Sequence, residues 1–162
     1  MLFDLYYTRM LRVAVVLVGD LATAEDVVQD ALLALYTSWS RVRDKDDAVG
    51  YLHRSVVNGA RSRLRRRAVA LRLRPLRPPD AISAEDAALS ALMSGPLITA
   101  MAALPRRERE AVLFRHYLDR SEQQTADALG LRPGSVKGYA SRGLAKLRAA
   151  LHSPTGDPQQ ES

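Results

Sequence analysis

Proline is absent from the first 74 residues and then clusters, in Arg74-Pro75-Leu76-Arg77-Pro78-Pro79-Asp80. A proline ring fixes φ, removes a backbone donor and pushes its predecessor out of the helical region, so no helix runs through this stretch. The chain therefore divides into a proline-free first part and a second part. Neither part shows sustained period-two alternation; wherever apolar residues are periodic, the spacing is helical. The expectation is an all-α protein of two small helical domains, residues 1–68 and 84–151, joined by an Arg/Pro-rich linker over 69–83. The tail, 152–162, offers no apolar side chain to bury and is expected to be disordered.

Composition closes several routes. There is no cysteine, which removes disulfides, thiolate metal sites and thiol nucleophiles. His53, His116 and His152 lie far apart without ligand spacing, so neither a metal nor a cofactor is expected. His116 is expected to be a packed interior or boundary residue. The longest apolar run, Val13 to Val18, is far short of the ~20 residues that span a bilayer. No N-terminal export signal is present, and a cytoplasmic protein without membrane insertion is expected.

The charge is basic and uneven. The 162 residues carry 24 Lys/Arg against 18 Asp/Glu, a formal net of +6. Residues 48–79 hold nine arginines and no acid, and residues 106–151 carry a further net +5, whereas residues 1–47 are net −3. Two separated basic blocks suit a polyanion touched at two places.

In the first part, residues 2–18 read as one apolar helix closed by Gly19-Asp20. Thr23 followed by Asp26 resembles a capping box opening a second helix. There Val27, Val28, Ala31, Leu32 and Leu35 face inward, and Asp26, Gln29, Asp30 and Leu33 form the opposite stripe. On spacing alone that stripe reads as an ordinary wet face, although two acids beside an exposed leucine would also suit docking. A third helix, about 47–67, places Val49, Leu52, Val56, Val57, Ala60 and Leu64 on one side. Its other side carries Tyr51, Arg54, Ser55, Asn58, Arg61, Ser62 and Arg65. Guanidinium forks grip phosphate, amides pair with base edges and aromatics stack on bases, and no acid dilutes this face. Trp39, in the preceding loop, is expected in the core.

In the second part, Ser83 with Glu85 and Asp86 signals a helix start, with negative charge at its positive end. Gly95-Pro96 interrupts that segment and Leu104-Pro105 ends it. The helix that begins at Arg106 directs Val112, Leu113 and Tyr117 or His116 to its core side. Ser121-Glu122-Gln123-Gln124 is a capping box for a short helix ending at Leu129, and Gly130 suits the positive φ beyond it. After the turn Leu131-Arg132-Pro133-Gly134, Ser135 is expected to cap the last helix. That helix turns Val136, Tyr139, Ala140, Leu144, Leu147 and Leu151 inward. Ser135, Lys137, Gly138, Ser141 and Arg142 lie outward near its start. The pattern is a helix-turn-helix whose second helix enters a major groove N-terminus first.

These residues carry a family likeness. Asp26-Val27-Val28-Gln29-Asp30-Ala31-Leu32 resembles the Asp-x-x-Gln-acid-x-apolar stretch of bacterial RNA polymerase sigma factors. Leu104-Pro105-Arg106-Arg107-Glu108-Arg109-Glu110, Ala128-Leu129-Gly130-Leu131, Gly134-Ser135-Val136-Lys137 and Ser141-Arg142-Gly143-Leu144-Ala145-Lys146-Leu147-Arg148 are similar, in order and spacing, to the family's C-terminal helix-turn-helix. With two small modules, the chain resembles the extracytoplasmic-function group over about residues 3–151. The resemblance implies that Asp26, Gln29, Asp30 and Leu33 grip the clamp helices of the polymerase β′ subunit, which reverses the wet-face reading. It implies that Tyr51, Arg54, Ser55, Asn58, Arg61 and Ser62 face the minus-10 element, where an extruded base is captured. Arg65, Arg66 and Arg67 would steady phosphates. Arg132, Ser135, Lys137, Gly138, Ser141 and Arg142 would meet the minus-35 duplex, and the second module would also pack on the β flap. The implied partners are core RNA polymerase and promoter DNA, and an anti-sigma factor is compatible with them.

The pattern departs from the family at two places. Arg120 and Thr125 stand where Leu and Ile are usual, and Gly138-Tyr139 replaces a common Ser-Arg pair. The implied function is a non-enzymatic subunit that directs core polymerase to promoters, recognising minus-35 and melting minus-10 DNA. The alternative is a free-standing helix-turn-helix regulator of duplex operators, which would need no docking stripe. An enzyme such as a nuclease lacks both a metal-ligand cluster and a phosphate-cradling glycine loop here.

Overall fold

The structure, a computed structural model, describes residues 2–73 and 95–152. Among them every regular element is helical. The first half comprises α1 (Leu2–Val18), α2 (Leu21–Thr37), a 3₁₀ turn (Trp39–Arg41) and α3 (Lys45–Leu73). The second comprises α4 (Pro96–Ala103), α5 (Arg106–Val112), a π-helical turn (Leu113–Tyr117), α6 (Glu122–Leu129) and α7 (Pro133–His152). The expected helix start at Ser83, the linker beyond Leu73 and the tail beyond His152 lie outside the described residues.

Gly19 takes a φ of +88° between α1 and α2. The cap of α2 is Asp20, not Thr23: its carboxylate accepts from the Thr23 amide at 2.8 Å. Arg67 pins this corner, donating to Asp20 at 2.5 Å, to the Val18 carbonyl at 2.9 Å and to Thr23 Oγ1 at 3.2 Å. The helix of Arg67 runs past the expected boundary at residue 68 and ends at Leu73. Nothing in Ala68-Val69-Ala70-Leu71 opposes a helix.

Helices α1, α2 and α3 pack as a three-helix bundle around Met10, Val13, Val27, Val28, Val56 and Val57, all essentially buried. Full burial of one such side chain is worth ~1.5–3 kcal/mol. The core does not stop at the end of this bundle. It continues through Leu52 and Ala60 into Met101, Leu104, Leu113, Phe114, Leu129 and Leu147 of the second half.

The helix-turn-helix closes as its sequence signals. The Ser121 hydroxyl accepts from the Gln124 amide and the Gln124 side chain accepts from the Ser121 amide, both at 3.0 Å. Gly130 adopts φ 68°. Helix α7 begins at Pro133, so Ser135 is not its cap but lies in the first turn, its amide bonded to the Arg132 carbonyl at 3.0 Å. Arg109 ties the end of α4 to α5, donating to the carbonyls of Met101, Ala102 and Leu104 at 3.1, 2.8 and 2.8 Å. These are the orphan acceptors that a helix C-terminus leaves. Beyond α5 the backbone widens into the π turn, with Leu118 bonding back to Leu113 at 2.9 Å. Asp119 then takes a φ of 53°, which the short Asp side chain tolerates better than most.

Candidate nucleic-acid and polymerase interface

The α2 stripe stands clear of the core. Asp26, Gln29, Asp30 and Leu33 are all exposed, Leu33 by 62%. Tyr36, seven residues after Gln29 and hence on the same face, is 78% exposed. Its place on the stripe was legible from that spacing alone. Arg63 of α3 leans on the acids, 2.7 Å from Asp30 and 3.8 Å from Asp26. Such exposed pairs hold weakly, at ~0–1 kcal/mol, and yield readily to a better cation.

Trp39 is 61% exposed at the head of the 3₁₀ turn, contrary to the expected core position. The neighbouring Ser38 joins Tyr51 of α3, their hydroxyls 3.1 Å apart. Along α3, Arg54, Asn58, Arg65 and Arg66 are exposed, and Tyr51, Ser55, Arg61 and Ser62 are half-buried. These residues do share one face, but Arg61 is engaged. Its Nε and Nη2 donate to the two carboxylate oxygens of Glu110 at 3.0 and 2.6 Å, and Nη2 also reaches the Leu129 carbonyl at 3.1 Å. The Glu110 carboxylate, 1% exposed, strengthens the hold of Arg61 on its proton.

His53, on the inner side of α3, is 5% exposed and packs edge-on to Phe114 with centroids 5.8 Å apart. Burial, reinforced by the nearby charges of Arg120 and Arg9, pushes its pKa down to about 4, so the ring is neutral at pH 7. His116, by contrast, is exposed.

At the start of α7, Arg132, Lys137, Ser141 and Arg142 are exposed, and Ser135 and Gly138 are half-buried. The guanidinium of Arg142 lies over the Tyr139 ring, 5.0 Å from its centroid, and 3.5 Å from Glu108. A Cβ on Gly138 would stand 3.2 Å from that same guanidinium. The Gly138-Tyr139 departure thus has a local meaning: one residue vacates the space and the other supplies the π face on which Arg142 rests. Glu108 also holds Lys146, at 2.9 and 3.1 Å. The Arg-Glu-Arg-Glu run of α5 therefore does three jobs, Glu108 gathering α7 cations, Arg109 capping α4 and Glu110 holding Arg61. Sequence reasoning assigned none of these roles, since each depends on partners brought in by tertiary packing.

The other departure also resolves. Thr125 is fully buried, and its hydroxyl has no hydrogen-bond partner. Arg120 extends across to α3, its Nη2 lying 3.6 Å from where a Cβ on Gly50 would be.

Comparison with known proteins finds a family model for each half of the chain. The sigma-70 region 2 model matches residues 2–69, and the sigma-70 region 4 model matches residues 94–147. The RNA polymerase sigma-E factor of Streptomyces avermitilis is 34% identical over 144 residues, covering 89% of this chain and 79% of that protein. The extracytoplasmic-function sigma factor SigM of Mycobacterium tuberculosis is 29% identical over 150 residues, 93% of this chain and 75% of its own length. Among solved structures, the sigma factor RpoE of Bartonella quintana, in complex with the anti-sigma factor NepR, shares the fold. Its TM-score is 0.73 at 21% identity, over 93% of this chain and 94% of that one. A free-standing operator regulator is not favoured by these matches. The two regions in their order, on an all-α frame of two modules, place this chain in the extracytoplasmic-function group of RNA polymerase sigma factors, the non-enzymatic subunits that direct core polymerase to promoters.

Proposed function

We propose that the faces described above divide the work of promoter recognition within residues 1–68 and 84–151. Asp26, Gln29, Asp30 and Leu33, extended by Tyr36, dock on the β′ clamp helices. Tyr51, Arg54, Ser55, Asn58, Arg61 and Ser62 engage the minus-10 strand, and Arg65 and Arg66 hold its phosphates. Exposed Trp39, next in sequence to the Ser38 that bonds Tyr51, adds an aromatic surface on which an unpaired base can stack. Arg132, Ser135, Lys137, Gly138, Ser141 and Arg142 meet the minus-35 duplex, while the second module also rests on the β flap. The protein acts in the cytoplasm and performs no catalysis of its own. Among the described residues, no helix is long and apolar enough to cross a membrane.

The observation that carries this reading is the α2 stripe, where acids, an amide and large apolar side chains stand exposed together on one helix face. A protein that bound DNA alone would gain nothing from acids there, because phosphates repel them. Transcription in vitro with core polymerase and mapping of RNA 5′ ends tests it. Initiation at a discrete set of start sites that depends on this chain is expected, and a failure to initiate on any template overturns it.

A further inference from the structure

Arg142 comes late in α7. It stands nine residues after Pro133, where the helix begins, or ~13 Å along an axis that rises 1.5 Å per residue. A helix that enters a major groove by its N-terminus offers its first turns to the base pairs, so a side chain that far back must reach forward. Helical side chains slant toward the N-terminus, and Arg142 follows that slant. Its Nη1 lies 3.2 Å from where a Cβ on Gly138 would stand, and its Cζ and Nη2 lie 3.9 Å away. The guanidinium therefore rests over Gly138, one turn nearer the groove, in space that a side chain at 138 would contest.

Two more groups fix its direction. The Tyr139 ring lies against the guanidinium, 5.0 Å from centroid to Cζ, and Glu108 Oε1 stands 3.5 Å from Nε. Glu108 is itself held in place, its side chain 8% exposed and bound by Lys146 through both carboxylate oxygens. Ordering a long, rotamer-rich side chain opposes binding, and here the fold has done much of that ordering in advance. With Nε turned to Glu108, the amino groups Nη1 and Nη2 over Gly138 are the pair that faces a partner. Two parallel N–H groups match the O6 and N7 acceptors of guanine in a major groove. A phosphate is the poorer match, because the Glu108 carboxylate already stands beside this guanidinium and repels a second anion.

We infer that Gly138 and Tyr139 form a seat that orients Arg142 toward a guanine of the minus-35 duplex, so that preference at one base pair is set by the seat as much as by Arg142. The inference rests on the minus-35 assignment proposed above. Tyr139 is a positioning residue, acting on the base only through Arg142. Gly138 acts by what it lacks, since a methyl group there displaces the guanidinium.

The test uses holoenzyme assembled from core polymerase and the full chain, transcribing templates whose minus-35 element is varied one base pair at a time. Wild type should favour guanine at one position by roughly 5- to 150-fold, the worth of a two-pronged arginine contact. Arg142→Ala should erase that preference. Tyr139→Leu should lower it roughly two- to fivefold, the worth of a cation–π contact at an exposed site, and Tyr139→Phe, which keeps the ring, should restore it. Gly138→Ala should blunt the same preference in a protein that melts no lower than wild type, a combination that a purely structural role does not produce. If circular dichroism finds Tyr139→Leu misfolded, Gly138→Ala decides alone. A preference as sharp in these variants as in wild type overturns the seat and leaves Arg142 at the duplex. In Arg142→Ala, a loss spread evenly over all templates makes Arg142 a phosphate contact and also overturns the seat. If Arg142→Ala alters transcription from no template, the minus-35 assignment itself falls and the seat falls with it.

Discussion

A Cβ on Gly143 would stand 2.6 Å from Val112 Cγ2 and 3.1 Å from the Glu108 carbonyl oxygen. Helix α7 therefore crosses α5 at a separation that only glycine allows, and the Ser-Arg-Gly-Leu motif owes its glycine to packing. Gly143→Ala should destabilise the protein by ~1–3 kcal/mol, because backbone and a β-branched side chain must both move. Gly138, five residues earlier on the same helix, should behave oppositely. Its added methyl meets only the flexible end of Arg142, so Gly138→Ala should gain up to ~1 kcal/mol of helix propensity. Calorimetric melting of the two variants checks the pair, and a common sign would refute this account of α7.

Thr125 leaves a hydroxyl buried without a partner in the first helix of the helix-turn-helix. Thr125→Val has almost the same shape and removes the unsatisfied group. It should stabilise the protein by about 1 kcal/mol, the desolvation penalty thereby relieved. A urea titration that reads a lower midpoint for the variant would show that the hydroxyl is satisfied in solution.

The neutral, buried His53 makes stability depend on pH. Its folded pKa, about 4, lies below the ordinary histidine value of 6.5, so between those values the unfolded chain binds a proton that the folded chain refuses. Stability therefore falls as pH drops through this window and is unaffected by His53 above it. The loss from pH 7 to pH 5 is about 2 kcal/mol. Arg9, Arg120 and the Phe114 ring surround the imidazole, and the acids Asp46, Asp47 and Asp127 line the adjoining cleft. Melting temperatures at pH 7 and 5 should converge in His53→Gln relative to wild type. An equal pH dependence in both would place the effect elsewhere.

How far the sequence reaches can be judged from particular residues. Helix positions follow from 3.6-residue periodicity, and the Ser121 box and Gly130 are local chemistry, legible three or four residues at a time. Asp20 displaces Thr23 as the α2 cap partly through Arg67, 47 residues away, and no local rule weighs that partner. The π turn that swings Phe114 against His53 breaks the helical period without a proline or glycine to announce it. On α3, the arginine face was legible as a set, but the sequence could not separate exposed Arg54 and Arg65 from Glu110-paired Arg61 and corner-bound Arg67. That division is made by Glu110 and Asp20, and depends on how the helices pack.

The acids of α2 already have a cation beside them, and this fixes the sign of two further changes. Asp30→Ala removes one exposed carboxylate from the proposed docking stripe and should weaken binding to core polymerase by ~1–2 kcal/mol, roughly 5- to 30-fold in Kd. Arg63→Ala removes the guanidinium that sits 2.7 Å from Asp30 and 3.8 Å from Asp26, so both acids become fully available. It should tighten core binding by less than ~1 kcal/mol, since an exposed pair is worth no more than that. Raising the salt concentration should shrink both differences, because the groups are solvated and screened. Surface plasmon resonance against immobilised core polymerase at two salt concentrations measures both. If Asp30→Ala binds core as wild type does, the acids of α2 serve solubility alone and the docking surface lies elsewhere on the molecule.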